Sequence, residues 1–262
     1  MKINILSTIS YDVSHKESLG FLIRINNFKL LLDCGPYIPQ ILNENFSFRN
    51  NIDAVFISHD HVDHAIGLPW LLNSIVYDEY YKIIDKRTTP IKLIIPNNNE
   101  SAILKYLKQT SPWMFIKCDY FHAIIEDPSN KPVILDEDLI IESFKLKHSI
   151  ENWGITIKHG NKKICYISDT LITKQLGLDQ KIKDCDLVIF NIGGSSKEKK
   201  MCNDYAFATS KEAALLCKSS NVKKVLFTHV FHQYDLKNVV SEATEILGNE
   251  RVLPISSQEI II

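Results

Sequence analysis

Apolar residues along this chain recur with two periods, and the two alternate from end to end. Short, nearly continuous apolar runs at 2–8, 19–25, 28–33 and 53–57 predict β-strands. Pro69-Trp70-Leu71-Leu72 opens a helical stretch reaching about Lys86, with Leu72, Ile75, Val76, Tyr80, Ile83 and Ile84 at helical spacing. Tyr77, Tyr80 and Tyr81 on that helix are candidates for a lid or a dimer contact, although plain amphipathic packing explains them too. A strand at 92–95 is followed by the turn Pro96-Asn97-Asn98-Asn99, which caps a helix through about Gln109. The stretch 113–163 reads as strand-rich, with a hairpin turned at Asn161. Beyond it come a strand at 186–190, a helix at 210–219 capped by Thr209 or Ser210, a strand at 222–228 and a helix at 237–247. Short closing strands are expected at 251–253 and 259–262.

Strands and helices mix in both halves, and no linker or composition break divides the chain. One domain over residues 1–262 is the expectation, and its length is ample for a buried core. The net charge of −1 argues against a protein that grips a long nucleic acid, which usually shows a basic face. Lys197-Glu198-Lys199-Lys200 is the one dense basic cluster. It reads as a solvated loop, with a phosphate contact as the alternative because it follows Gly193-Gly194. No apolar run approaches a membrane span, and Met1–Ser7 turns polar too soon for a signal peptide. The six scattered cysteines, with no Cys-x-x-Cys pair, fit reduced thiols in a cytoplasmic protein.

The densest chemistry is His59-Asp60-His61-Val62-Asp63-His64, which follows the apolar run Asp53-Ala54-Val55-Phe56-Ile57-Ser58. A strand feeding a polar loop puts these side chains at a strand end, where open α/β sheets bind ligands. The spacing lets His59 and His61 serve one metal, and Asp63 with His64 a second. Imidazole and carboxylate donors suit zinc, with manganese and iron as the alternatives.

The motif resembles the signature of the metallo-β-lactamase superfamily, and the resemblance extends over nearly the whole chain. Asp33-Cys34-Gly35 follows Leu30-Leu31-Leu32 as the family's early Asp-x-Gly turn does. His148 follows the strand 139–147, Asp169 sits in Tyr166-Ile167-Ser168-Asp169-Thr170, and His229 ends the strand 224–228. The resemblance implies a four-layer αββα sandwich of the α+β class. It also implies two divalent ions, one held by His59, His61 and His148, the other by Asp63, His64 and His229, with Asp169 bridging. A metal-bridging hydroxide would be the nucleophile, oriented by Asp63.

Within the superfamily the order of motifs is similar to the ribonuclease Z-like branch, with departures. Only 21 positions separate His148 from Asp169 (169 − 148), so the long tRNA-grasping arm of that branch has no room. Phe190-Asn191-Ile192-Gly193-Gly194 stands where the branch has a His-Glu pair, and Phe207-Ala208-Thr209-Ser210 where it has a catalytic His. Thr228-His229-Val230-Phe231-His232-Gln233 looks like the small cyclic phosphodiesterases. One subgroup of these opens a cyclic phosphoribosyl phosphate; another, in phages and bacteria, cleaves cyclic mononucleotides of antiphage signalling. The first carries an extra zinc on N-terminal cysteines, and no cysteine precedes Cys34 here. His232 is thereby free to be the leaving-group acid, or else packs in support of the site. His15, in a polar segment, reads as solvent-exposed, with a site-facing loop as the alternative; His122 and His159 read as surface or core histidines, and Trp153 as either a base-stacking ring or core.

The expectation is a metal-dependent phosphodiesterase acting on a small, cyclic phosphodiester of nucleotide or phosphoribosyl type. No large nucleic acid and no membrane are expected as partners; a homodimer is expected by resemblance. The alternatives are a carbonyl-ester hydrolase of lactones or thioesters, a ribonuclease Z-like nuclease, and a metal-binding protein without catalysis.

Overall fold

The computed structural model describes residues 1–12, 17–46, 52–83, 85, 87–116, 123–136, 138–231, 235–254 and 259–262. Two compact units emerge. The first comprises Met1–Ser7, Tyr11–Asn130 and Gln258–Ile261, and the second is chiefly Lys131–Ser257.

The first unit runs β1 (Lys2–Asp12), β2 (Glu17–Ile25), β3 (Phe28–Leu32), α1 (Ile38–Phe46), β4 (Ala54–Phe56), α2 (Val62–Ala65), α3 (Gly67–Tyr80), β5 (Ile91–Ile94), α4 (Ala102–Thr110) and β6 (Ala123–Glu126). The second runs β7 (Val133–Asp136), β8 (Leu139–Leu146), β9 (Asn152–His159), β10 (Lys162–Ile167), α5 (Leu178–Ile182), β11 (Leu187–Asn191), α6 (Lys199–Asp204), α7 (Ser210–Ser219), β12 (Val225–Thr228) and α8 (Leu236–Leu247). The last strand, β13 (Glu259–Ile261), returns to the first unit.

The first sheet has seven strands in the order β13-β1-β2-β3-β4-β5-β6, and the second six in the order β12-β11-β10-β9-β8-β7. Each is antiparallel at one side and parallel at the other. β3, β4, β5 and β6 pair in parallel, as do β10, β11 and β12. Parallel strands are buried on both faces, which explains why these runs read as continuously apolar rather than alternating. All three residues of β4 and all five of β11 are buried. On the first sheet, Leu31, Val55 and Leu93 pack with Leu68, Leu72, Ile75, Leu104 and Leu107 from helices. On the second, Cys165, Val188, Phe190 and Phe227 pack with Ala213, Cys217, Val239 and Ala243.

Several expectations need correction. α1 stands where the pattern predicts no element; Pro39 lies in its first turn, where a missing N–H leaves no bond unmade. α3 ends at Tyr80 instead of near Lys86. Lys82 turns left-handed at φ 56°, its N–H reaches the Glu79 carbonyl and the Ile83 N–H reaches the Asp78 carbonyl. That pair of bonds closes the helix as a Schellman turn. Pro112–Phe115 is a 3-10 turn and not a strand, since proline cannot donate to a ladder. Val252 makes only an isolated bridge to Val225.

The five described cysteines are free and buried. Burial pushes the thiols of Cys202 and Cys217 up to about 12 each. No helix among the described residues is long and apolar enough to cross a membrane.

Candidate metal-ligand sets at the strand ends

In the first unit the ligand loop leaves β4, and α2 begins inside it. His61 is extended at φ −62° and ψ 146°, and Val62 enters the helix. The His59 and His61 rings lie on the same side, with centroids 4.6 Å apart. His59 Nε2 is 3.0 Å from His61 Nδ1, and His64 Nε2 is 3.6 Å from Asp63 Oδ2.

The tautomers of this set follow from Asp33, a residue whose role the sequence did not disclose. Asp33 is fully buried at φ 54°. Its Oδ2 is 2.8 Å from His64 Nδ1, and a carboxylate only accepts, so His64 donates from Nδ1 and presents the Nε2 lone pair. The Ser58 hydroxyl donates to Asp33 Oδ2 at 2.9 Å, and the Ser58 N–H donates to Oδ1 at 2.7 Å. With its proton committed, that hydroxyl accepts from His59 Nδ1 at 2.9 Å. His59 therefore also presents Nε2 as a lone pair.

Asp60, the remaining carboxylate of the motif, does not join the ligands. It accepts from the first turn of α4, described further below.

In the second unit Asp169 follows β10, His229 follows β12 and His148 follows β8. Asp169 is buried, and its Oδ2 lies 3.6 Å from His148 Nε2 and 3.5 Å from His229 Nε2. One carboxylate oxygen thus stands between two imidazoles. The other, Oδ1, accepts from Asn191 Nδ2 at 2.8 Å, and Thr228 Oγ1 donates to Asn191 Oδ1 at 2.7 Å. The Asp169 backbone carbonyl accepts from Asn152 Nδ2 at 2.5 Å. His148 Nδ1 donates to the Ala206 carbonyl at 3.3 Å, which leaves its Nε2 as a lone pair. His229 adopts a left-handed φ of 66°, rare for a residue with a side chain and typical of functional sites.

The donor spacings fit divalent ions. Two donors at 2.0–2.2 Å from one tetrahedral ion stand roughly 3.4 Å apart. The four pairs measured here run from 3.0 to 3.6 Å.

Phe207 opens the Phe207-Ala208-Thr209-Ser210 stretch that the resemblance sets against the branch's catalytic His. Its ring stacks on His229 with centroids 5.0 Å apart and meets His148 edge-on at 5.1 Å. Phe231 packs on Phe207 at 4.6 Å, and Tyr205 on Phe231 at 6.0 Å. Phe207 is buried while Tyr205 is 64% exposed, so an aromatic row runs from the ligands to the surface.

His159 lies at the hairpin end of β9, and Trp153 is buried beside Lys145, whose Nζ sits 5.2 Å from its ring centre. Each cation of the basic cluster that meets a partner is tied locally: Lys197 to Asn238, Lys199 to Glu212 and Lys200 to Asp204. His232, His15, His122 and Cys118 lie outside the described residues.

Known proteins resemble this chain in sequence and in fold. The family model described as "Anti-Pycsar protein Apyc1" matches residues 6–201. A "Ribonuclease Z" from Bradyrhizobium diazoefficiens is 23% identical, with 94% of each chain covered. The crystal structure of human tRNase Z, short form, superimposes with a TM-score of 0.74 at 21% identity, covering 88% of this chain and 93% of that one. The metallo-β-lactamase fold protein YhfI from Bacillus subtilis gives 0.75 at 17% identity, covering 96% and 94%. The fold is that of the metallo-β-lactamase superfamily.

Proposed function

The chain belongs to the anti-Pycsar Apyc1 family, and from that premise we propose that it is a metal-dependent phosphodiesterase that opens a small cyclic phosphodiester, a cyclic mononucleotide in the first instance. Asp169 Oδ2 between the imidazoles of His148 and His229 carries the reading, because a shared carboxylate is what two neighbouring ions require. The proposed ligands are the seven of the resemblance: His59, His61 and His148 for one ion, Asp63, His64 and His229 for the other, and Asp169 for both. Two divalent ions, zinc in the first place, would when bound supply a water-derived nucleophile at neutral pH and neutralise phosphate charge.

The chain's own groups do the rest. Asp63, partly open to solvent with a side chain 20% exposed, accepts a hydrogen bond from the attacking water and aims it. Asp33, through Ser58, and Asn191 hold ligand side chains in the tautomer and direction needed. Phe207 dries the wall beside His148 and His229. Tyr205 and Phe231 offer faces on which a nucleobase stacks, and stacking of this kind is worth about 1–3 kcal/mol per base. His232 is retained as the proposed leaving-group acid.

Support for a small substrate comes from the short interval between His148 and Asp169 and from the near-zero net charge. A cyclic mononucleotide is favoured over a phosphoribosyl ring by the aromatic row and by membership of a family named for opposing Pycsar. A homodimer is part of the proposal, supported by an exposed apolar stripe considered in the Discussion.

The test is turnover by metal-loaded protein on 2′,3′- and 3′,5′-cyclic nucleotides, a cyclic phosphoribosyl ester, a labelled oligonucleotide and a lactone. Asp63→Ala is the control. Cleavage of a cyclic nucleotide that falls at least about 100-fold in the control supports the reading. Silence on every phosphodiester with a live lactone signal overturns it in favour of carbonyl hydrolysis.

A further inference from the structure

Asp60 lies between two proposed ligands, yet its carboxylate is committed elsewhere. Oδ1 accepts from Ser101 Oγ at 3.0 Å and from the Ile103 N–H at 3.0 Å, and Oδ2 accepts from the Ala102 N–H at 2.6 Å. Ala102 and Ile103 open α4, where backbone N–H groups have no partner within the helix and the helix dipole favours negative charge. Ser101 is already the cap of that helix: its Oγ accepts from the Leu104 N–H at 3.3 Å. Asp60 is therefore a second cap, delivered from 42 residues upstream (102 − 60).

We infer that this tie makes Asp60 a positioning residue for His59 and His61. In extended backbone, successive side chains point to opposite sides. Anchoring residue 60 on one side aims 59 and 61 together to the other, in keeping with the extended backbone of His61 and the 4.6 Å ring separation. The anchor itself is rigid, because Ile103, Leu104 and Leu107 bury α4 in the core. Two fixed points then set the ligand loop: Asp33 holds the outer nitrogens of His59, through Ser58, and of His64, while Asp60 holds the backbone between His59 and His61. A tie of this strength also explains why an acidic residue sits beside the ligands without joining them. The inference rests on His59 and His61 being metal ligands.

The experiment measures zinc and cobalt binding to the whole chain by chelator competition and metal content, alongside thermal unfolding of the metal-free protein. Wild type is expected to bind two ions. Asp60→Ala is expected to weaken the ion held by His59 and His61 by about 10–100-fold, so that metal content after dialysis falls from two towards one. Asp60→Asn, which keeps an acceptor but turns an amide towards donors, falls between. Ala102→Pro is the independent probe. It deletes the 2.6 Å N–H bond from outside the loop at a first-turn position that tolerates proline, and Ser101, at ψ 122°, already has the backbone a following proline needs. It is expected to weaken the same ion while leaving metal-free unfolding within about 1 kcal/mol of wild type. Affinities for both ions that stay at their wild-type values in Asp60→Ala and Ala102→Pro overturn the inference, as does equal weakening of both ions in step with lost metal-free stability. Failure of wild type to bind any divalent ion overturns the proposed function instead.

Discussion

Asn191 marks the limit of what single residues reveal in a sequence. By the resemblance it stands where the ribonuclease Z-like branch has other groups, and as a letter in Phe190-Asn191-Ile192 it reads as a loss. In the fold its amide donates to Asp169 Oδ1 while its own oxygen accepts from Thr228, so it fixes both the position and the orientation of a buried carboxylate. Asn191→Ala leaves that oxygen buried without its donor, which costs about 1–3 kcal/mol. Metal affinity is expected to fall about 10-fold or more, read by chelator competition; unchanged affinity would show that Asp169 needs no such support. Asp33 teaches the same lesson. The Asp-Cys-Gly turn is visible in the sequence, but the bonds from Asp33 to Ser58 and His64 cross 25 and 31 positions. Spacing rules see only near neighbours.

At the level of elements, α3 was legible in type and not in length. Apolar spacing continues through Ile83, so pattern alone extends the helix, whereas the left-handed turn at Lys82 stops it. A left-handed residue with a side chain is strained by about 1–2 kcal/mol, which the greater unfolded freedom of glycine partly offsets. Lys82→Gly is expected to raise unfolding stability by about 0.5–1 kcal/mol, checked by urea denaturation; a lower midpoint would refute the strain argument.

Asp186, at the start of β11, links three segments. It accepts from the Lys163 N–H at 2.9 Å and from Lys223 Nζ at 2.8 Å, with Lys162 Nζ at 3.9 Å. Burial raises its pKa, but the Lys223 hydrogen bond, the Lys163 N–H and the charges of Lys223 and Lys162 outweigh burial and hold it below the usual value. A lowered folded pKa means stabilisation that is complete above about pH 4 and disappears as pH falls through the lowered value. The stability gap between wild type and Asp186→Asn should therefore narrow from neutral pH towards pH 3. A gap that stays constant across that range would show that Asp186 contributes nothing through its charge.

At the level of the molecule, the seven proposed ligands divide four and three. His59, His61, Asp63 and His64 belong to one compact unit, and His148, Asp169 and His229 to the other. The apolar stripe is also a whole-molecule feature. Val62, Ile66, Trp70, Tyr77 and Tyr81 follow at helical spacing along α2 and α3, with Trp70 74% exposed. Four exposed rings with Tyr80, at about 200 Å² each and two-thirds open, present on the order of 500 Å². That is much of the roughly 800 Å² each partner buries in a standard interface. A hollow of about 220 Å³ between Ile66 and Tyr106 lies at the same end of the stripe, so one face offers both a protruding indole and a recess. A self-complementary face of that kind suits a two-fold dimer. If the proposed dimer forms on this face, Trp70→Glu is expected to shift it to a monomer in sedimentation; a wild-type protein that sediments as a monomer at micromolar concentration would sink this assignment.

The sequence by itself determined the superfamily, the candidate ligands and their order, because metal donors must be specific residue types at strand ends and strand ends are marked by apolar runs. The short interval between His148 and Asp169 is likewise a matter of counting. Tertiary structure decided which donors surround each carboxylate. Asp33, Asp60 and Asp169 are the same residue type beside the same kinds of strand. One orients imidazoles, one caps a helix 42 residues away, and one stands between two histidines. A carboxylate takes its role from the donors that surround it, and those donors come together only when distant segments pack.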